Sequence, residues 1–425
     1  MIDLAQGDVL EILRQVPDST FHACLTDPPY GLSFMGKHWD YDVPSVEVWK
    51  EVVRVLRPGA AVLSFGGTRT YHRLVCNAED GGLEVRDQLC WLYAKGFPKS
   101  LNVSKALDKA AGAERPVIGT QTLTGNAAVS LKDKGGTYGV QVGTVPPKVV
   151  NVTGPATEEA KAWDGYGTAL KPAHEPILLA RKPLDGTVAE NVLRWGCGAL
   201  DIDGCRLGEL PYDQETWDKK SLARTTGNAT GVHKGSTGPL PSGRWPANLL
   251  LDEGAAEVLD RTVKPGKSTK YPEHKAEGAV LPLQTRAAGG YSDSGGPSRF
   301  FFSSKVSTRE RNEGCDLLPL KTAGEATDRE DDTAGLDSPR SGAGRTGGAR
   351  NHHPTLKPIA LARYLAQLIR PPGDPLILIP FAGAGSEVIG ASLAGWTAGL
   401  AIERDPDYVQ IARARIAYHL REGVE

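Results

Sequence analysis

The sequence predicts an α/β protein in which both ends of the chain contribute to one mainly parallel sheet. Three observations support this prediction. Residues 1–96 alternate apolar, strand-like runs with amphipathic helices, which is the pattern of a parallel sheet covered on both faces. Residues 351–425 return to the same alternation after a long irregular stretch. Neither end carries enough elements to cover a sheet of its own, so each is predicted to complete the other in permuted order.

Composition excludes several classes of protein and leaves nucleic acid open as a partner. The 425 residues include 49 Lys and Arg against 51 Asp and Glu, and a near-neutral total is compatible with a local basic cleft. The six cysteines are scattered without a C-x-x-C pair, so neither a disulfide framework nor a zinc site is expected. The sequence contains neither an apolar run of roughly 18 residues nor a signal-peptide pattern. We therefore expect a cytoplasmic protein without a membrane or metal partner.

The N-terminal elements follow one another in a regular order. The run IDLAQ predicts a strand, and Asp8 then caps a helix with apolar residues at i, i+3, i+4 and i+7 from Val9. The run FHACLT predicts the next strand, which ends at Asp27. A second helix around Trp49 precedes the strand-like runs AVLSF and LEVRDQLCWLY. Residues 1–96 are therefore predicted to form one half of the sheet.

The middle of the chain is less regular. Residues 97–170 are rich in Gly and Thr and weakly apolar, and we expect a long mobile loop or insert there. Residues 171–184 contain HEPILLARKP, which predicts one more strand of the same sheet. Residues 185–350 mix short apolar runs with turn signals and predict a second, irregular domain. From residue 321 that region becomes polar and Gly-rich, which is typical of a disordered linker.

The C-terminal elements predict half of a Rossmann-like nucleotide site. Pro358 opens an amphipathic helix, and PLILIPF is a continuous apolar run of the kind found in central parallel strands. A glycine-rich turn and a helix follow, and then a strand that ends at Glu403. Glycines at such a turn let the backbone approach a ligand closely, and an acid at the next strand end suits ribose hydroxyls. Asp405 caps the last helix.

The stretch TDPPYG, residues 26–31, places a carboxylate, two rigid rings and a phenol at the end of a buried strand. A carboxylate there can accept a hydrogen bond from an amino group. Prolines stiffen the turn and present carbonyls without competing N–H donors. A tyrosine offers a flat face on which a planar ring can stack. The alternative explanation is a tight Asp-Pro-Pro turn with a purely structural role.

Taken together, these motifs resemble the S-adenosylmethionine-dependent DNA amino-methyltransferases of the permuted β class, the N6-adenine and N4-cytosine family. In that family the D-P-P-Y motif comes first and the F-x-G-x-G motif comes last. The corresponding stretches here are TDPPYG at 26–31, HHPTLKP at 352–358, IPFAGAGS at 379–386 and GLAIERDPDY at 399–408. The resemblance covers about the first 96 residues, residues 171–184 and the last 75. It implies a Rossmann-like class I methyltransferase sheet with an inserted target-recognition region in residues 185–350.

The resemblance implies methyl transfer to an exocyclic amino nitrogen of a base that has been flipped out of double-stranded DNA. Asp27 and the Pro28 carbonyl would accept hydrogen bonds from that nitrogen, which stabilises the positive charge that grows on it. An aspartate is a weak base at neutral pH, so hydrogen bonding is expected rather than proton abstraction. Pro29 stiffens the turn, and Tyr30 stacks on the base.

The residues expected to bind S-adenosylmethionine lie in both halves of the predicted sheet. Asp8 would meet the adenine amino group, with a plain helix cap as the alternative, and Lys357 would hold the methionine carboxylate. For His353 a structural hydrogen bond is favoured over chemistry. The full set consists of Asp8, His353, Thr355, Lys357, Phe381, Ala382, Gly383, Ala384, Gly385, Ser386 and Glu403. The family usually has Asp before the Pro-Phe of this turn, and here that position is Ile379, so an acid near the methionine ammonium is missing unless another residue supplies it.

Binding of duplex DNA requires contacts to phosphates, mainly from Lys and Arg. Trp39 is a candidate lid over the extruded base, with plain packing as the alternative. The candidate DNA-binding residues are Lys37, Trp39, Lys95, Lys99 and Lys105. The family often dimerises, so a homodimer is an open alternative, and a restriction endonuclease partner is another. A bacterial, archaeal or phage-encoded enzyme of restriction–modification type fits this pattern.

The sequence favours adenine N6 as the methylated atom, because cytosine-N4 enzymes of this family more often have Ser in place of Asp27. An N4-cytosine enzyme is the first alternative. A catalytically retired DNA-binding protein with the same fold is the second, and Ile379 favours it. A methyltransferase acting on RNA or on protein glutamine is a weaker alternative, because such enzymes more often have Asn-Pro-Pro-Tyr and no permutation.

Overall fold

The computed structural model shows the predicted alternation of strands and helices, and both chain ends enter one sheet. The strands are β1 (Ile2–Gln6), β2 (Phe21–Thr26), β3 (Leu56–Phe65), β4 (Glu84–Leu92), β5 (Val117–Leu123), β6 (Asn126–Lys132), β7 (Tyr138–Thr144), β8 (Lys148–Thr153), β9 (His174–Arg181), β10 (Leu249–Asp252), β11 (Gly266–Lys267), β12 (Ser294–Gly295), β13 (Phe302–Ser304), β14 (Leu376–Pro380) and β15 (Ala398–Glu403). Among the described residues, nine of them form one sheet in the order β1-β15-β14-β2-β3-β9-β4-β10-β13.

The described residues also form helices. They are α1 (Val9–Leu13), α2 (Val46–Val55), α3 (Tyr71–Asp80), α4 (Val103–Ala110), α5 (Glu158–Ala162), α6 (Val188–Trp195), α7 (Glu253–Thr262), α8 (Ile359–Leu368), α9 (Ser386–Leu393) and α10 (Pro406–His419), with a short 3-10 helix at Pro297–Phe300. The structure describes residues 1–32, 42–94, 96, 100–123, 126–132, 138–144, 148–208, 243–263, 266–267, 294–304, 310–321, 325 and 349–421. Among these residues, no helix combines the length and the apolar character that crossing a membrane requires.

The two chain ends meet at two places in the sheet, as the sequence predicts. β1 pairs in parallel with β15, from Ile2 opposite Gly399 to Gln6 opposite Glu403. β14 pairs in parallel with β2, and Leu378 lies opposite Cys24. The predicted Rossmann-like α/β class and the permuted assembly of the sheet are therefore confirmed.

The order in which the chain adds strands to the sheet reverses between β14 and β2. From β14 the chain proceeds outward to β15, and from β2 it proceeds outward to β3 on the other side. All neighbours in the sheet are parallel except β9, which runs antiparallel to both β3 and β4. In open parallel sheets, ligands bind outside the carboxyl ends of the strands at such a reversal. The residues that follow β2 and β14 are therefore in position to form a site.

The apolar side chains alternate between the two faces of the central strand β14. Ile377 and Ile379 point into the cluster formed with α8 and α9, whereas Leu378 points into the cluster formed with α1, α2 and α3. This explains why PLILIPF is apolar without interruption, because both faces of β14 are covered. The largest fully buried side chains of these two layers include Leu13, Trp49, Phe65, Leu74 and Ile177.

Two short strands beyond β4 differ from the sequence analysis. β10 pairs in parallel with β4, and β13 pairs in parallel with β10, so both belong to the large sheet. The sequence pattern predicts a separate, irregular domain for these residues. The strands contain only four and three residues, and such short apolar runs carry no recognisable period.

The chain divides into two units, of which the larger contains the whole sheet. The second unit is formed mainly by residues 95–173, where the sequence analysis expects a long loop or insert. It contains α4, α5, and the antiparallel pairs β5–β8 and β6–β7. Its Asp108 is buried, pairs with Arg115, and accepts the backbone N–H groups of Ala156 and Thr157. The segment is therefore an insert with its own secondary structure, built from Val and Thr residues that favour strands.

Thr26 provides a test of the contact between the two chain ends. Its buried hydroxyl donates to the carbonyl of Pro380 at 2.5 Å. Because Thr26→Val removes this buried bond, we expect the free energy of unfolding to fall by about 1–2 kcal/mol in urea denaturation. Thr262→Val is the control, since the exposed Thr262 hydroxyl donates to carbonyls of its own helix, α7. Equal effects in the two variants would show that the Thr26 hydroxyl does not link the strands.

Candidate active site

The D-P-P-Y turn lies beside the glycine-rich turn at the carboxyl edge of the sheet. β2 ends at Thr26 and β14 ends at Pro380, and the Thr26 hydroxyl joins these two ends. Asp27 therefore begins its turn next to Phe381, although the two residues lie at opposite ends of the sequence. The expectation that the chain's tail brings its glycine turn near Asp27 is confirmed.

Both carboxylate oxygens of Asp27 are engaged by side chains. The Tyr30 hydroxyl lies 2.8 Å from Oδ1, and the Lys357 ammonium donates to Oδ2 at 2.7 Å. A carboxylate oxygen has about two acceptor directions, so Asp27 keeps capacity for a further donor. The two contacts fix the orientation of the carboxylate at the reversal point of the sheet.

Glu175 is the second acid of this cluster, and sequence reasoning missed it. It is the second residue of β9. Because β9 runs antiparallel to β3, the start of β9 lies at the same edge of the sheet as the end of β3. Its carboxylate is 3.3 Å from the Lys357 ammonium and 3.1 Å from the Tyr30 hydroxyl. The signal in the sequence was an acid at the start of an otherwise apolar strand, but nothing in the sequence indicates its partners.

The charges of this cluster can be assigned from its geometry. Burial by itself lowers the pKa of Lys357, but the Asp27 and Glu175 carboxylates outweigh burial and raise that pKa above its ordinary value. Burial, followed by the same two carboxylates, raises the pKa of Tyr30 well above its ordinary value. Lys357 is therefore a cation between two acids, and Tyr30 is a neutral phenol whose single proton serves one acid at a time.

Lys357 occupies a different environment from the one that the resemblance implies. The sequence analysis expects its ammonium at the carboxylate of the cofactor. In the structure the side chain is only 4% exposed, and its ammonium contacts Asp27 and Glu175. The ammonium also lies over the rings of Tyr30 and Phe65, at 5.3 and 4.8 Å from their centroids. This environment favours a role in holding the catalytic turn.

The glycine-rich turn has the backbone shape that its sequence predicts. Gly383 and Gly385 have positive φ angles of 51° and 81°, and the non-glycine residue Phe381 has a φ of 65°. A Cβ atom on Gly383 would come within 2.8 Å of Nε2 of His353. The motif HPTLKP therefore lies directly against the glycine turn, and only glycine permits this approach. A positive φ at Phe381 is strained, and such strain is frequent at ligand sites.

Glu403 and Arg415 support the glycine turn from two sides. The Glu403 carboxylate accepts the backbone N–H of Gly383 at 2.8 Å and that of Asp405 at 2.8 Å. The fully buried Arg415 donates to the Ala384 carbonyl at 2.6 Å and to the Ser386 hydroxyl at 3.1 Å. Burial raises the pKa of Glu403. Ala382, within this turn, is also buried. The role of Glu403 toward a ribose stays a prediction.

His353 has a structural environment in this arrangement. Its Nδ1 bonds the carbonyl of Thr355, and its backbone N–H donates to Asn351 at 3.1 Å. Burial lowers the pKa of His353 to about 4, so the ring is neutral near pH 7. This agrees with the preference for a structural hydrogen bond. A role of Thr355 toward the cofactor stays a prediction.

The remaining predicted residues are placed only in part. Asp8 caps α1 by accepting the Leu10 N–H at 2.9 Å, as a plain helix cap would do. A contact of Asp8 with the adenine of the cofactor stays a prediction. Lys105 is exposed on α4 in the second unit. The other four candidates for DNA binding, Lys37, Trp39, Lys95 and Lys99, lie outside the described residues.

The site fits the cofactor that the resemblance implies. The left-handed turn around Gly383 leaves no room for a side chain, because the His353 ring lies against it. Ile379 is fully buried in the sheet and supplies no acid. Glu387 follows the turn, and it is buried with its Oε1 lacking a hydrogen-bond partner among the described residues. The donor and acceptor set therefore suits a ligand that carries a positive charge.

A parallel sheet with a glycine turn and a D-P-P-Y turn at its reversal point is the arrangement of an S-adenosylmethionine-dependent methyltransferase. The chain belongs to the DNA methylase family, whose model matches residues 21–414. The protein is thus a DNA methyltransferase of the N6/N4 family, and S-adenosylmethionine is the methyl donor of that family.

Solved structures with low sequence identity resemble the whole chain. The M1.HpyAVI–SAM complex is 12% identical with a TM-score of 0.36, and the alignment covers 98% of this chain and 100% of that one. The PvuII DNA methyltransferase, described as cytosine-N4-specific, is 12% identical with a TM-score of 0.42, and the alignment covers 100% of this chain and 88% of that one. The comparison with curated proteins gives no match.

Gly383→Ala tests the approach of backbone to ligand. The new Cβ would clash with His353, so we expect a loss of stability and at least about tenfold weaker binding of S-adenosylhomocysteine by calorimetry. Gly373→Ala is the matched control, because its φ is +83° and, among described residues, nothing lies within 4 Å of the added Cβ. If both variants bind the ligand equally well, the glycine turn does not approach it.

Lys357→Met tests the acidic cluster. Removing the cation leaves Asp27 and Glu175 facing each other without compensation, and we expect the free energy of unfolding to fall by about 3 kcal/mol. Adding Glu175→Gln to this variant should recover part of the loss, because one of the two charges is then removed. Lys50→Met is the control, since the Lys50–Glu47 pair is exposed and contributes little. Unchanged stability of Lys357→Met would contradict the assigned charges.

Proposed function

We propose that the protein methylates the exocyclic N6 of adenine in double-stranded DNA, on a base flipped out of the duplex. One observation carries this proposal: the Asp27 carboxylate is held by Lys357 and Tyr30 beside the glycine turn of β14. The acceptor for the target amino group and the cradle for the cofactor therefore share one edge of the sheet.

The residues of the chain act mainly by position and charge. Bound S-adenosylmethionine supplies an electrophilic methyl group on a sulfonium. Asp27 accepts a hydrogen bond from the target amino group with the acceptor capacity that Lys357 and Tyr30 leave free, and the Pro28 carbonyl accepts a second. As the nitrogen attacks, these acceptors stabilise the positive charge that develops on it. The product nitrogen then loses its extra proton to Asp27 or to water.

The surrounding side chains make this hydrogen bonding effective. Lys357 and Tyr30 fix the Asp27 oxygens before the base enters, so little reorganisation is needed in the transition state. Pro28 is buried and Pro29 partly buried, which keeps the turn rigid. The partly buried Tyr30 ring is the stacking surface that we assign to the base. Glu403 and the glycine turn hold the ribose and the methionine chain.

Cytosine N4 is the alternative target, and a retired DNA-binding protein is the alternative of a different class. Asp27 in place of Ser supports adenine through the family resemblance, and Ile379 favours the retired protein. The oriented Asp27 is an argument against retirement, because apolar residues in place of a buried ion pair are often as stabilising, whereas a bound ligand would use the carboxylate.

Identification of the methylated nucleoside tests the proposed target. The purified protein is incubated with unmethylated DNA and labelled S-adenosylmethionine, and the digested DNA is examined by mass spectrometry. We expect labelled N6-methyladenine. Labelled N4-methylcytosine would replace the adenine assignment, and DNA binding without label would support the retired protein.

Asp27→Ala should reduce methyl transfer by about 10²–10³-fold, because the principal acceptor for the amino group is removed. Binding of S-adenosylhomocysteine should change little. Asp80→Ala on the exposed end of α3 is the control and should retain full activity. Near-normal turnover in Asp27→Ala would refute the role assigned to this carboxylate.

A further inference from the structure

Glu387 is a buried acid that the mechanism so far leaves unused. It is the second residue of α9, and it directly follows the glycine turn. Its side chain is 4% exposed, and its Oε1 atom has no hydrogen-bond partner among the residues that the structure describes. Buried polar atoms are nearly always paired, so an unpaired carboxylate oxygen beside a ligand cradle indicates a missing partner.

The charges around Glu387 come from three other elements. Asp27 follows β2, Lys357 precedes α8, and Arg415 lies in α10. Burial, followed by the Asp27 charge, raises the pKa of Glu387 to about 7, although Lys357 and Arg415 act in the opposite direction. Burial and the Asp27 charge therefore favour the protonated carboxyl group in the absence of ligand, and a nearby cation would shift it toward the ionised form.

The acidic cluster has a surplus of negative charge. Asp27, Glu175 and ionised Glu387 carry three negative charges, and Lys357 and Arg415 carry two positive charges, so one negative charge is left uncompensated within this group. Glu387 lies in the first turn of α9, directly after the glycine turn that we assign to the cofactor, whereas Asp27 directly follows β2. Ile379, where the family resemblance leads us to expect an acid, is apolar and fully buried.

We propose that Glu387 binds the ammonium group of the methionine chain of the cofactor and releases its proton when that group enters. The carboxylic O–H bond breaks, the proton passes to solvent, and a charge-assisted N–H···O bond to the ammonium forms. Glu387 thereby takes the place of the acid that position 379 lacks. This inference rests on the proposed function for the identity of the ligand.

A pair of ligands isolates the ammonium group. S-adenosyl-3-thiopropylamine carries an ammonium on the sulfur chain, and 5′-methylthioadenosine lacks it. We expect Glu387→Gln to weaken binding of the amine by about tenfold or more, and binding of 5′-methylthioadenosine by less than about twofold, in calorimetry. Glu47→Gln, in the exposed first turn of α2, is the matched control and should affect neither ligand.

Protons provide a second readout that does not depend on turnover. At pH 7, calorimetry in buffers of different ionisation enthalpy should show net proton release on binding of the amine, and less release in Glu387→Gln. Without ligand, the raised pKa of Glu387 makes its contribution to stability largest below pH 4.5, and this contribution is lost as the pH rises through 7. Glu387→Gln should therefore gain stability relative to the wild type across this range.

The outcomes separate this inference from the proposed function. Equal losses for both ligands would assign Glu387 a structural role and overturn the inference, as would unchanged affinity for the amine. An enzyme that methylates adenine but shows either of these results retains its function without this role of Glu387. A protein that binds the amine selectively through Glu387 but transfers no methyl group retains the inference and loses the proposed function.

Discussion

The parallel pairing of β2 with β14 is the constraint on which the candidate site depends. The register of Leu378 opposite Cys24 brings Thr26 to Pro380, and their hydrogen bond joins the two strand ends. A shift of one residue would turn every side chain of β14 to the opposite face. Leu378 would then have to exchange its packing layer with Ile377 and Ile379, and both layers are covered. The glycine turn and Asp27 therefore meet through sheet geometry, and the order of the two halves in the chain has no effect on that meeting.

The charges at this edge of the sheet follow from the same geometry. Lys357 comes from the C-terminal half, Asp27 from the N-terminal half, and Glu175 from the only antiparallel strand of the large sheet as described. Each of these charges is partly or fully removed from water, so the cluster is stable only when all three elements are in place. The catalytic turn is consequently ordered by tertiary structure, and its local sequence alone would not hold Asp27 in one orientation.

Much of the fold could be predicted from the sequence, because the central strands are continuous apolar runs and the glycine turn is a strong local signal. β10 and β13 could not, since runs of three or four residues lack a period and are defined only by their neighbours. In the site, Asp27, Gly383 and Glu403 were predicted from motifs. The partners of Lys357 were not, because a sequence does not show that Glu175 reaches the same ammonium, and a strand-initial acid looks like an ordinary solvated one.

The energetic cost of burying these charged groups bears on whether the site is in use. A lysine buried between two carboxylates costs desolvation energy, and well-packed apolar residues in such positions are often as stabilising or more so. Glu387 adds a second cost, because its Oε1 is buried without a hydrogen-bond partner among the described residues. Both costs fall at the reversal point of the sheet, where a ligand would bind, and a cationic ligand would offset the surplus of negative charge. A protein that only bound DNA would have no need for either feature, whereas both would serve the methyl transfer that we propose.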